Sequence, residues 1–195
     1  MRSFLMILLL VNTAALKAQD SYHDSISQYH LNYIKTHEVV KGADKDLVQF
    51  FAPDKSYLIK ARFEPVDDAP WIPFATSGKF KKNYRVYGKL HFTINDTAVQ
   101  LNIYQSQDLL RSPSYKDYLF LPFTDATTGN ETYDAGRYID LRIEDTRTPE
   151  VIIDFNKAYN PYCAYVSGIY NCPIPPKENR LPVAIRAGEM KFLKE

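Results

Sequence analysis

Tyr84-Arg-Val-Tyr-Gly-Lys-Leu-His-Phe-Thr-Ile94, Asn95-Asp96, and Ala98-Val-Gln-Leu-Asn-Ile-Tyr104 decide the fold class. In the first run Tyr84, Val86, Gly88, Leu90, Phe92 and Ile94 alternate with Arg85, Tyr87, Lys89, His91 and Thr93. A period of two is that of a strand with one buried face. Asn95-Asp96 supplies side chains that tolerate the left-handed backbone of a tight turn, so the second run is expected to pair back as a hairpin. Outward from this hairpin, further strands are expected at Tyr57–Phe63, Tyr118–Phe123, Tyr138–Ile143, Val151–Phe155 and Leu181–Arg186. Trp71–Thr76 is also extended, but Pro73 confines it to a sheet edge. No helical pattern separates these runs, which argues against parallel βαβ units. The expectation is a mainly β domain, an antiparallel sandwich or barrel of about seven to nine strands.

Helix is expected only at the N-terminal end. Ile26, Tyr29, Tyr33 and His37 make an apolar stripe over residues 21–37, with Asp20 or Ser21 as cap, and Asp44–Phe51 reads as a short helix closed by Pro53. His23, His30 and His37 recur every seven residues, about 10.5 Å along a helix, too far apart to share one metal ion. They are read as structural.

Residues 1–18 have the layout of a secretory signal: a basic start at Arg2, an apolar run from Phe4 to Val11, and Ala18 at the cleavage site. The run is shorter than the ~20 residues that span a bilayer, so no stable membrane insertion is expected after cleavage. The mature chain, 19–195, is then a single domain, exported to the periplasm or beyond. Losing Arg2 and Lys17 takes the net charge from +1 to −1, which leaves no global electrostatic case for nucleic acid or an anionic membrane. The chain holds 15 Tyr against 1 Trp. Tyr suits both strands and half-wet binding surfaces.

Two stretches carry candidate chemistry. In the first, Leu121-Pro-Phe-Thr-Asp125-Ala-Thr-Thr128-Gly-Asn-Glu131-Thr-Tyr133-Asp-Ala-Gly-Arg137-Tyr138, hydroxyl, amide and carboxylate groups crowd one loop, and Arg137 supplies a fork suited to a carboxylate or phosphate. The second, Asp154 to Glu189, is rich in Pro and Tyr and cannot be a long helix. It holds Asn160, Tyr165, Asn179, Arg180 and both cysteines. Cys163 and Cys172 are an even pair in an exported chain, so a disulfide is expected, with separate buried thiols or a metal pair as alternatives.

The words PFTDATTGNETYDAGRYIDL and DFNKAYNPYCAYVSGIYNCPIPPKENRLPVAIRAGE resemble a bacterial and archaeal family of unknown function, numbered 1684. The resemblance is tight from Tyr118 to the C-terminus and covers the N-terminal half only in layout. It implies no activity and no cofactor. It marks Asp125, Gly129, Glu131, Thr132, Tyr133, Gly136, Arg137, Asn160, Pro161, Cys163, Tyr165, Cys172, Pro173, Asn179, Arg180 and Gly188 as motif positions. Tyr162 stands where many members have Pro, and Asp134-Ala135 where smaller residues are usual.

These readings converge on a binding domain for a small ligand, an anionic one if the arginines face it. The 120–138 loop and the 156–180 segment would form one pocket. Asp125, Thr128, Glu131, Tyr133, Arg137, Tyr138, Asn160, Tyr165, Asn179 and Arg180 are its candidate residues, with Tyr159 joining Tyr133, Tyr138 and Tyr165 as its walls. The rival is a hydrolase using Asp125, Glu131 and Asp140 as acid and base beside Arg137. The third reading is a purely structural motif without ligand.

Overall fold

The computed structural model describes residues 21–193; the candidate signal segment lies outside the described residues. Helix α1 spans residues 21–36. Seven strands follow: β1 (Leu58–Pro65), β2 (Ile72–Phe74), β3 (Lys82–Ile94), β4 (Thr97–Ser106), β5 (Tyr118–Phe123), β6 (Arg137–Arg142) and β7 (Glu150–Asp154). They form one antiparallel sheet curled into a half-barrel, in the order β6-β5-β4-β3-β1-β7, with β2 paired to β3. The mainly antiparallel β fold read from the alternation is therefore the fold found. Pro73 sits on edge strand β2, as its missing N–H requires.

The β3–β4 hairpin pairs Ile94 with Thr97 across Asn95 and Asp96, whose φ values are 48° and 58°. Two left-handed residues give the turn twist that matches paired strands. The alternation is not continuous along β3, however. A bulge between Val86 and Gly88 inserts one extra residue, which exchanges the two faces. Leu90, Phe92 and Ile94 face the interior with Leu101, Ile103, Leu119, Leu121 and Phe123. Tyr84 and Val86 fall on the opposite face with Phe74, Tyr104, Phe120 and Tyr138. The sheet is thus apolar on both sides over β3–β6, and the second side is aromatic.

Between β4 and β5 only Tyr104 and Phe120 pair. Two residues beyond Phe120 on the same strand comes Pro122, which has no N–H to donate to β4. The Asn179 side chain fills the gap. Its amide nitrogen donates to the carbonyls of Asn102 (2.8 Å) and Pro122 (2.7 Å), and its oxygen accepts the Asn102 N–H at 2.9 Å. One side-chain amide thus replaces a missing backbone amide in the ladder.

Two expected elements differ. Asp44–Phe51 holds only a 3-10 turn, Gly42–Leu47, after which Phe50 bridges to Glu189. Leu181–Arg186 is not a strand. Pro182 removes one donor, and the carbonyls that follow are turned onto a side chain instead. The Arg137 guanidinium donates to the Ala187 carbonyl, to Ile185 at 2.8 Å and to Glu189 at 3.2 Å, and meets the Asp125 carboxylate at 3.0 Å. Neither charged group is exposed to solvent. Asp125 also accepts from the amides of Thr127 (2.7 Å) and Ile185 (3.2 Å) and from the Thr127 hydroxyl. Gly136, at φ 87°, precedes Arg137 because a Cβ there would come within 2.5 Å of the Phe123 carbonyl.

Removing one partner of a buried, hydrogen-bonded pair strands the other charge. Arg137→Ala is expected to lower stability in urea by about 3–5 kcal/mol. Arg186→Ala, which removes an exposed bidentate pair with Glu131, should change it by less than about 1 kcal/mol. Equal losses in the two variants would refute this account of the interior.

Candidate functional site: a tyrosine cleft on one carboxylate

On the aromatic face of the sheet lies a cleft of about 520 Å³. Tyr138 and Asp140, two residues apart on β6, point to the same side and form its floor. The Tyr159–Pro173 stretch lies over them. Tyr159 joins β6 through reciprocal backbone bonds with Tyr138 at 2.9 and 3.0 Å, and the Tyr138 hydroxyl donates to the Pro173 carbonyl. The Cys163–Cys172 disulfide ties the two ends of the intervening loop, with Cα atoms 6.3 Å apart. Tyr29 and Tyr33 reach in from α1, and Lys82 from the start of β3. Six of the twelve lining residues are tyrosines, and Asp140 is the single acidic group among them.

The Asp140 carboxylate is held asymmetrically. Both the Tyr118 hydroxyl (2.8 Å) and the Tyr159 hydroxyl (2.6 Å) donate to Oδ1. Among the described residues nothing is hydrogen-bonded to Oδ2. Desolvation by the surrounding rings raises the Asp140 pKa, while the two hydroxyls and Arg142 oppose that shift. Asp140 also borders a neighbouring cleft of about 420 Å³ between β6 and β7, lined in part by Tyr29, Asp145, Ile152, Asp154 and Lys157.

Most of the residues singled out in the sequence lie elsewhere. Asp125 and Arg137 are interior. Thr128 closes the 125–132 loop by accepting the Asp125 N–H at 3.0 Å, and Glu131 pairs with Arg186 at the surface. Asn179 completes the β4–β5 ladder. The Asn160 N–H donates to the Glu189 carboxylate (2.8 Å), as does the Tyr165 hydroxyl. Arg180 is exposed, Tyr133 is half-buried, and neither lines the cleft. Of the residues expected to bind or wall the pocket, Tyr138 and Tyr159 reach the cleft. The 125–132 loop is not its second wall: that loop is bonded to the chain end, through Ala126 N–H to Val183 O and Lys191 N–H to Glu131 O. The three carboxylates of the hydrolase reading are dispersed, Asp140 in the cleft, Asp125 in the interior and Glu131 on the surface. The sequence reading missed Lys82, Tyr162, Tyr170 and Asn171, for which the tyrosine excess was the available signal.

A family model described as "Protein of unknown function (DUF1684)" matches residues 45–190. The chain belongs to this family. Its fold is similar to the solution NMR structure of an uncharacterized protein of Haloarcula marismortui, with 25% identity and a TM-score of 0.64. The match covers 97% of this chain and 99% of that one. No curated protein matches the chain. The DUF1684 motif positions identified above therefore include several groups that build the interior.

One more interior group in this DUF1684 chain escaped the sequence reading. Glu189 has no exposed surface. Burial raises its pKa to about 7, against the opposing effects of Asn160, Tyr165 and the Arg137 charge. Between the ordinary carboxyl range and pH 7 the folded protein therefore holds a proton that the unfolded chain releases. Stability from this group is fully present at low pH and is lost as pH rises toward 7, by on the order of 3 kcal/mol in total. His30 and His37 act in the opposite sense, since desolvation lowers their pKa values and folding resists their protonation. The comparison with Glu189→Gln isolates the carboxyl, because the amide imitates its protonated form. Relative to wild type, Glu189→Gln should gain stability steadily from pH 5 to pH 7 in urea melts. A difference that does not change with pH would remove the buried acid from the account.

Proposed function

We propose that the protein is an exported binding domain whose tyrosine cleft takes a small molecule bearing an ammonium group. The observation that carries this reading is the Asp140 carboxylate, with Oδ1 saturated by two tyrosine hydroxyls and Oδ2 left for a ligand. Tyrosine rings add a second attraction, because their faces are electron-rich and favour a cation. Ring walls surrounding one placed charge are the usual form of a small-ligand site. Lys82, also on the cleft, suits an anionic group on the same molecule, which makes a zwitterion of amino-acid size the best fit.

The anion-binding role first expected of Arg137 is less well supported, since its guanidinium is occupied by Asp125 and three carbonyls and has no exposed surface. A disulfide and the lack, among the described residues, of any helix long and apolar enough to cross a membrane are compatible with export. The export reading itself rests on residues 1–18.

Thermal unfolding with a panel of primary amines, trimethylammonium compounds, amino acids and simple carboxylates tests the reading. Ligand at a hundredfold excess over Kd stabilises by about 2.7 kcal/mol. Amines and amino acids are expected to raise Tm saturably, carboxylates alone are not, and Asp140→Asn should abolish the effect while folding normally. An equal ligand shift in Asp140→Asn, or no shift by any ammonium compound, would sink the proposal.

A further inference from the structure

Beside the cleft mouth the surface carries an apolar tip with lysines beside it. Two segments make its base: Ser77 N–H donates to the Cys172 carbonyl at 2.9 Å, Ile174 N–H to Ala75 at 2.9 Å, and Thr76 bridges to Pro173. The Ser77 hydroxyl accepts the Cys172 N–H at 3.0 Å and reaches the Tyr170 carbonyl at 3.3 Å, and the disulfide fixes Cys172 from behind. From this base two loops project. One carries Phe80, 73% exposed, and the other Ile169, 70% exposed. They line one shallow hollow with Gly78, Lys79 and Tyr170.

Phe80 and Ile169 are the two most exposed large apolar side chains among the described residues, and they adjoin in one patch instead of lying scattered. Phe80 is flanked in sequence by Lys79 and by Lys81-Lys82, none of which is ion-paired with a described carboxylate. An aromatic and a branched apolar tip with unpaired lysines beside it matches an anionic lipid surface: Phe80 and Ile169 enter the interfacial region while the ammonium groups meet phosphates. We infer that the 77–82 and 168–171 loops dock this protein on an anionic membrane. The charge is what selects lipid over a second copy of the chain, because two such tips would bring six lysines together. Tyr170 and Asn171 line both the tip hollow and the cleft, so docking would turn the cleft mouth toward the lipid headgroups. The docking does not depend on what the cleft binds.

Co-sedimentation with phosphatidylcholine vesicles, with and without phosphatidylglycerol, reads the surface directly. Wild type should partition onto the anionic vesicles and leave them as salt is raised. Phe80→Ser with Ile169→Ser should lose at least about tenfold in partition coefficient, and Lys79→Gln with Lys81→Gln should lose most of the preference for phosphatidylglycerol. The N-terminal apolar run is common to all these proteins, so the differences between them read the tip. Unchanged melting curves are expected, since the substituted side chains are exposed. Binding that the substitutions leave intact, or no binding by wild type, overturns the inference. So does light scattering that shows a dimer dispersed by Phe80→Ser and Ile169→Ser without vesicle binding.

Discussion

The guanidinium of Arg137 is the point from which the C-terminal third of the molecule is organised. It leaves the start of β6, lies over the Phe123 ring, and holds the carbonyls of Ile185, Ala187 and Glu189 together with the Asp125 carboxylate. A planar, permanently charged donor can serve four acceptors in an interior where a lysine could not. Because those carbonyls are committed to it, the last segment runs as irregular chain against the sheet instead of joining it. The 125–132 loop and the 183–191 segment then clasp each other, and Glu189 is carried into its sealed position beside Tyr165 and Asn160.

With the chain end locked onto one side, the other side of the sheet is free to be aromatic. The bulge at Val86–Gly88 is what creates that second apolar face, by moving Tyr84 and Val86 away from Leu90 and Phe92. The Tyr159–Pro173 stretch and α1 cover this face without filling it, and the cleft on Asp140 is the space that remains.

The strands were legible because each signals locally. The hairpin turn at Asn95-Asp96, the apolar run of β5 and the edge character of Pro73 are each written in a few consecutive residues. The site was less legible. Arg137 and Asp125 advertise anion chemistry by residue type, yet their roles depend on burial, which only the tertiary packing of Ile185–Glu189 reveals. Asn179 reads as a polar loop residue until Pro122 is seen beside Asn102. The bulge has no sequence mark apart from Gly88, where the Phe63 ring takes the place of a Cβ. Asp140 was visible as a carboxylate on a strand, but the tyrosines that make it a site come from α1, β5, β6 and the C-terminal block, which no local pattern unites.

The amide of Asn179 sits in the β4–β5 ladder although it lies 77 positions beyond Asn102. A hairpin can zip as soon as its turn has formed, but this seam cannot be finished from its own residues. While the chain is still being synthesised, the β3–β4 hairpin can form early, yet Asn102 and Pro122 keep unfilled hydrogen-bonding groups until residue 179 has emerged and docked. Contacts this distant in sequence are slow to find. The order of events in folding is thereby written into the sheet: its centre is completed by the part of the protein made last.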